Sequence, residues 1–182
     1  MRVITGIAKG KKLQTLQGDD VRPTIERIKE SIFSMIQFQV QGRKFLDLFS
    51  GSGQMGIEAL SRQAKSATFI DFKKQSIDII KSNLKLAGLI ENAIVLNQDS
   101  IQFLRKTREK FDIVFLDPPY KTRLLQEALK FVPNVVNLGG AIICENPIDQ
   151  KLEHVIGEFM LEKYNTYGKI AVSIYRHKDV II

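Results

Sequence analysis

Four carboxylates, Asp47, Asp71, Asp99 and Asp117, each stand at or just beyond the end of a short apolar run. The last of them opens the tetrapeptide Asp117-Pro118-Pro119-Tyr120. The run before it, Ile113 to Leu116, is uninterrupted and has the pattern of a strand buried on both faces of a sheet. Two consecutive prolines cannot donate to a sheet ladder and hold their φ angles near one value, so the chain leaves the sheet as a short, stiff loop. Such a loop fixes the Asp117 carboxylate, the Pro118 carbonyl and the flat face of Tyr120. Two convergent acceptors beside a stacking ring suit a planar base that carries an exocyclic amine. The plain alternative is a strand followed by an ordinary proline turn, which requires neither the aspartate nor the ring.

The other three carboxylates surround a candidate nucleotide site. Lys44 to Phe49 reads as a strand, followed by Ser50-Gly51-Ser52-Gly53-Gln54-Met55-Gly56 and a helix to about Arg62. Gly51, Gly53 and Gly56 spell G-x-G-x-x-G, which permits a tight turn and close approach of a ligand over a helix N-terminus. A nicotinamide dinucleotide would fit that pattern equally well. Asp47, four residues before the first glycine, favours instead a ligand bearing positive charge, such as an ammonium and a sulfonium. Asp71 follows Gly51 by 20 residues, the spacing at which a carboxylate chelates ribose hydroxyls. Phe72 beside it can lie against an adenine. Asp99 can accept from an adenine amine, although Asp99 or the adjacent Ser100 serves equally well as a helix cap.

These residues need a scaffold that gathers them. Ser66–Asp71, Ala93–Asn97 and the run ending at Leu116 read as strands separated by helical segments, one of them Lys74–Ala87 with Ile77, Ile80, Leu84 and Ala87 on one face and Gly88 as C-cap. Alternating strand and helix implies right-handed crossovers and a parallel sheet, with ligands beyond the carboxyl ends of the strands. Asp71, Asp99 and Asp117 are therefore expected to line one cleft, with Asp47 at its base. A helix with Leu124, Leu125, Ala128 and Leu129 is expected to end at Pro133. Leu138–Glu145 follows as a fifth buried strand, then a short helix near Lys151–Ile156. Strands near Glu158–Tyr164 and Ile170–Arg176 form a closing antiparallel hairpin.

At 182 residues the chain can bury a substantial core in one domain, and 44% hydrophobic with 26% charged residues is an ordinary globular composition. No apolar run approaches the length of a membrane span, and no signal-peptide core is visible, so a cytoplasmic location is expected. Cys144 is the only cysteine, which excludes a disulfide framework and a cysteine-rich metal site; a buried, reduced thiol is expected. His154 and His177 lie outside these motifs and are expected at the surface. Residues 1–44 hold nine Lys and Arg against four acids, and the remaining chain is close to neutral. A basic end on a neutral body fits a polyanion partner, or simply a solvated charged arm. Arg2–Ile7 and Lys12–Leu16 read as two short strands, with Ala8-Lys9-Gly10-Lys11 as a turn able to follow a phosphate backbone. Pro23 keeps Arg22 extended, Thr24 is the expected N-cap of a helix with Ile25, Ile28, Ile32, Met35 and Ile36 inward, and Arg22, Arg27 and Lys29 are expected on its outer side.

Leu46-Asp47-Leu48-Phe49-Ser50-Gly51-Ser52-Gly53, Asp71, Asp99 and Asp117-Pro118-Pro119-Tyr120, in that order, resemble the motifs of class I S-adenosylmethionine-dependent methyltransferases. Met1-Arg2-Val3-Ile4-Thr5-Gly6, Gly10, Arg22-Pro23-Thr24, Arg27 and the closing Ile174-Tyr175-Arg176 are similar to the RsmD family of guanine-N2 methyltransferases of small-subunit ribosomal RNA. Asp71 departs from the glutamate more usual at its position. The resemblance implies a Rossmann-like fold with a mostly parallel seven-stranded sheet, an N-terminal extension over residues 1–40 and a methyltransferase domain over residues 41–182. It implies S-adenosylmethionine held by Asp47, Ser50, Gly51, Gly53, Asp71, Phe72, Asp99 and Ser100, and catalysis by Asp117, Pro118 and Tyr120, with Asp117 also able to face the ring N–H of guanine. The implied chemistry needs no metal, and the small size and the lack of an obvious dimerisation stripe favour a monomer. Its partner would be 16S rRNA, within a small ribosomal subunit or an assembly intermediate, contacted through Arg2, Lys9, Lys11, Lys12, Arg22, Arg27, Lys121 and Arg123. Asp-Pro-Pro-Tyr is equally compatible with an adenine-N6 methyltransferase or a methylase of glutamine amides, and the glycine loop with an oxidoreductase; a non-catalytic RNA-binding module is the remaining alternative.

Overall fold

Short, largely buried apolar runs make four interior strands, and with a more exposed edge strand they form the parallel part of a single sheet among the described residues. A computed structural model describes residues 1–16 and 23–179. The parallel strands are β1 (Lys44–Asp47), β2 (Ser66–Asp71), β3 (Ala93–Asn97), β4 (Phe111–Leu116) and β5 (Val136–Pro147). The chain then adds β6 (Val155–Ile156), β7 (Phe159–Tyr167) and β8 (Ile170–His177), giving the order β3-β2-β1-β4-β5-β8-β7-β6. β8 runs antiparallel to both β5 and β7, as the expected closing hairpin does. The sheet has eight strands where seven were expected, because Val155 and Ile156 do not form a helix. They pair with Met160 and Phe159 across a turn at Gly157, whose φ of +58° suits glycine. Two adjacent β-branched residues beside such a turn favour a strand over the last turn of a helix.

Side-chain alternation splits the core between the two faces of the sheet. Phe45, Ala67, Phe69, Ile113, Phe115, Ala141 and Ile143 pack with α1 (Pro23–Met35), α2 (Gln54–Ser61) and α3 (Lys74–Ala87). Leu46, Ile70, Val114, Leu116, Ile142 and Cys144 pack on the other side with α4 (Ser100–Lys106) and α5 (Leu124–Leu129). Cys144 is fully buried, and burial pushes its thiol pKa up, which fits an unreactive structural thiol. α3 ends at Gly88 in the left-handed conformation, as its sequence indicates. α1 opens at Pro23, so Thr24 falls inside the first turn rather than before it; proline at the first helical position lacks only an N–H that would have had no partner. α5 stops at Leu129, and Pro133 lies in a separate 3₁₀ turn.

The N-terminal segment differs from the expected hairpin. Among the described residues only Arg2 and Lys12 form a bridge pair, with Val3 and Leu13 also bonded across the loop, because the backbone from Ile4 to Ala8 is bonded to α2 instead. The amides of Ile4 and Thr5 donate to the two carboxylate oxygens of Glu58 at 2.8 and 3.0 Å. Ile7 donates to the Ser61 carbonyl and Ala8 to the Ser61 hydroxyl. Glu58 is itself fully buried and bonded by the Arg62 guanidinium at 2.9 Å, with the Lys29 ammonium 3.8 Å away. Lys29, expected on the outer side of α1, is 1% exposed and also donates to the Arg2 carbonyl at 2.7 Å. Burial lowers its pKa, and Glu58 opposes that shift. Arg22 lies outside the described residues.

Removing one partner from a buried charge cluster leaves the others uncompensated. Glu58→Ala is therefore expected to lower unfolding free energy by about 3–5 kcal/mol in urea titrations, and Glu58→Ala with Lys29→Met to recover part of that loss. A loss below about 1 kcal/mol for the single variant would contradict this account of the cluster.

Candidate active site

β1 is flanked by β2 on one side and β4 on the other, so the chain winds away in opposite directions from this pair and a crevice opens at their carboxyl ends. The loop after β1 enters it first. The Leu48 amide donates to the Phe115 carbonyl and the Ser50 amide to the Ile70 carbonyl, stitching the loop to both neighbours. Gly51 and Gly53 have φ of +53° and +79°, and Gly53 stands directly before α2. At Gly56 a Cβ would come within 2.3 Å of the Phe69 ring, so the third glycine serves close helix–strand packing.

The carboxylates sort by depth. Asp47 is 2% exposed and accepts from the Gly56 amide at 3.1 Å. Burial raises its pKa to about 7, against the Gly56 bond and helped by the charge of Asp71. Asp71 is half-buried and accepts from the Gly51 amide at 3.0 Å and the Lys73 amide at 2.8 Å, tying the glycine loop to the end of β2. Phe72 is 63% exposed beside it, with the Lys73 ammonium 5.7 Å from the ring centre. Asp99 is exposed and is the N-cap of α4, accepting from the Gln102 amide at 2.8 Å, so the capping role is present whatever else the carboxylate does.

The hydroxyls of the two serines expected at a cofactor donate to backbone carbonyls. The Ser50 amide donates to the Ile70 carbonyl of β2, its carbonyl accepts from the Gly53 amide, and its hydroxyl is shared between the Asp47 and Ile70 carbonyls. The Ser100 hydroxyl is buried and donates to the Leu48 carbonyl at 2.6 Å. Both hydroxyls hold the crevice in shape.

At the end of β4, Pro118 is buried, Asp117 half-buried and Tyr120 44% exposed. The Tyr120 hydroxyl donates to Glu145 Oε1 at 3.2 Å. Burial, with the charges of Asp117 and Glu145, pushes the phenol pKa far up, so the hydroxyl stays a donor. Burial also raises Glu145 to about 7, the Tyr120 bond opposing it. Sequence reasoning passed over Glu145, although it too is an acid ending a buried run. It also missed Asn83 on α3, whose buried amide bonds both backbone groups of Gln14 and the Ser52 carbonyl of the glycine loop. A polar residue on the apolar face of α3 was the available signal. Lys121 and Arg123 are exposed just beyond the corner. Lys9, Lys11 and Lys12 are exposed near Ser61, at the far end of α2 from the glycine loop, and Arg2 and Arg27 are exposed nearby, Arg2 paired with Glu26 at 3.6 Å. Among the described residues no three metal-ligating side chains gather, and no helix is long and apolar enough to cross a membrane.

Residues 1–176 match a family model described as "Conserved hypothetical protein 95". The chain belongs to this family. It is 38% identical over 183 aligned residues to YlbH of Bacillus subtilis strain 168, provisionally an rRNA methyltransferase, covering 98% of this chain and all of that one. It is 32% identical to "Ribosomal RNA small subunit methyltransferase D" of Escherichia coli K12, covering 98% and 90% of the two chains. A solved structure from Escherichia coli, yhhF, classed provisionally as a methyltransferase, superposes with a TM-score of 0.88 at 30% identity, covering 97% of each chain. The resemblance to the RsmD family and the Rossmann-like methyltransferase fold read from the motifs are borne out.

Asp47 makes stability depend on pH. An acid with a folded-state pKa above its unfolded value stabilises below the unfolded value, and that contribution is lost as pH rises through the folded one. For Asp47 the window runs from 3.8 to about 7. Asp47→Asn keeps an acceptor for Gly56, so relative to wild type it is expected to gain about 2–3 kcal/mol between pH 5 and pH 8 in urea unfolding. Parallel pH curves for the two proteins would show that Asp47 does not titrate in this window.

Proposed function

We propose that this protein transfers a methyl group from S-adenosylmethionine to the exocyclic N2 amine of a guanine in small-subunit (16S) ribosomal RNA. The observation that carries the reading is the rigid corner after β4, where Asp117, the Pro118 carbonyl and a half-exposed Tyr120 adjoin the glycine loop at the strand-order switch. Membership of a family with ribosomal RNA small subunit methyltransferases among its relatives supports the substrate class.

The residues of the crevice fit the cofactor. Glycines with positive φ let backbone approach a ligand closely, Asp71 supplies negative charge and acceptors, Asp47 a buried carboxyl whose ionised form a cationic ligand would favour, and Phe72 an exposed ring. S-adenosylmethionine, when bound, supplies an electrophilic methyl on a sulfonium. Asp71 would hold the ribose hydroxyls, Asp99 the adenine amine, and Asp47 would set the negative potential at the base of the site.

The chemical difficulty lies with the acceptor, because the guanine amine shares its lone pair with the ring. Asp117 and the Pro118 carbonyl accept from its two N–H groups, turn the lone pair outward and stabilise the charge that develops on nitrogen, and one of those protons then leaves to Asp117 or solvent. Pro118 and Pro119 keep those acceptors in place without reorganisation, so positioning supplies much of the acceleration. Tyr120 stacks on a base swung out of the RNA. Lys121 and Arg123 flank the corner, while Lys9, Lys11 and Lys12 stand one eight-residue helix away, about 12 Å, and contact phosphates without reading sequence. Arg2, Arg22 and Arg27 belong to the same RNA-contacting extension, over residues 1–40, against a methyltransferase domain over residues 41–182. The enzyme acts as a cytoplasmic monomer, on a small subunit or an assembly intermediate.

Asp117→Ala is expected to lower methyl transfer by about 10²–10³-fold or more while cofactor affinity measured by calorimetry changes by less than about threefold. Equal loss of turnover and cofactor affinity would assign Asp117 to the cofactor and overturn this mechanism.

A further inference from the structure

The role of Glu145 follows from its position. β5 turns Ala141 and Ile143 into the core shared with α1 to α3, and Glu145 is the next residue of that alternation, the face on which Asp47 also lies. Leu116 pairs with Cys144, so Asp117 and Glu145 each stand one residue beyond the last paired position of β4 and β5. The Tyr120 hydroxyl reaches back to Glu145, closing Asp117, Tyr120 and Glu145 into one group around the ring on which a base would stack. A carboxylate has about four acceptor positions, and Tyr120 takes one of them.

Guanine places two donors side by side on its Watson–Crick edge, the N2 amine and the ring N1–H. With the amine taken by Asp117 and the Pro118 carbonyl, the N1–H still needs an acceptor, since a desolvated donor without one is costly. Adenine carries a bare N1 lone pair beside its amine, which a carboxylate repels. We propose that Glu145 accepts the N1–H of the extruded guanine and is the residue by which the site selects guanine over adenine. This rests on the methyl-transfer reading above and adds to it the basis of base choice. Burial works against the charged form of Glu145, and the Tyr120 hydrogen bond favours it, so an arriving N–H donor completes what Tyr120 begins.

The test uses small subunits reconstituted on RNA in which the modified guanosine is replaced by 2-aminopurine, which keeps the 2-amine but carries a lone pair at N1; matched subunits with guanosine are the reference. Wild-type enzyme is expected to prefer the guanine substrate in kcat/KM by about a hundredfold or more, because its carboxylate faces that lone pair. Glu145→Gln keeps an acceptor for Tyr120 and brings an NH2 donor for the lone pair. It is expected to shrink the guanine-to-aminopurine ratio by at least about tenfold, with cofactor affinity unchanged. Glu145→Ala is expected to slow guanine methylation and, with the carboxylate no longer facing the lone pair, to narrow the guanine-to-aminopurine ratio as well. An unchanged ratio in Glu145→Gln overturns the assignment, including the case in which both rates fall together. Failure of the wild-type enzyme to methylate the guanine substrate at all would instead refute the underlying reading.

Discussion

Parallel neighbours β1 and β4 cannot send their following loops the same way, because one connection crosses toward β2 and the other toward β5. Their carboxyl ends therefore part, and the crevice between them is the one place where two loops can present backbone and side chains to a shared ligand. Everything polar at this edge answers to that geometry. The glycine loop bends into the crevice from one side and the Asp-Pro-Pro-Tyr corner from the other. Carboxylates that would repel one another in a plain core are each tied down locally, Asp47 by Gly56, Asp71 by Gly51 and Lys73, and Asp99 by Gln102.

The second constraint runs through α2. Its first turn follows the glycine loop, its middle carries buried Glu58, and its end carries Ser61, so one short helix holds both the glycine loop and the N-terminal segment. Asn83 makes a parallel connection, gripping Gln14 and Ser52 together. The basic N-terminus is thus fastened to the scaffold that shapes the crevice rather than projecting from it. An RNA lying along that flank would meet fixed charges at a fixed distance from the corner, which suits placement of one base in the site by shape and backbone contact.

Much of this was legible from residue order alone. The bounds of β2, α3 and β3 follow directly from apolar runs and a glycine stop, and the order of motifs pointed to the fold and family. What escaped was set by tertiary context. Charge suggests the outside of α1 for Lys29, although it falls four residues after Ile25 and three before Ile32, beside the apolar stripe; residue order cannot show that α2 offers a buried carboxylate to receive it. The short strand β6 depends on pairing with residues that follow it, and the N-terminal strands lost their pairing to Glu58 and Ser61. Residue order also cannot show that the hydroxyls of Ser50 and Ser100 donate to nearby carbonyls. Glu145 lay within a strand read mainly for its apolar residues, and only the register of β4 against β5 brings it beside the corner.

The central claim is that this crevice brings a methyl donor to the amine of one guanine in ribosomal RNA. Mass mapping of modified nucleosides in small-subunit rRNA, from cells with and without the protein, tests it most directly. The account predicts one N2-methylguanosine that disappears with the protein and returns when purified enzyme and S-adenosylmethionine are added. An unchanged guanine pattern, or loss of a methyl group from an adenine instead, would contradict it.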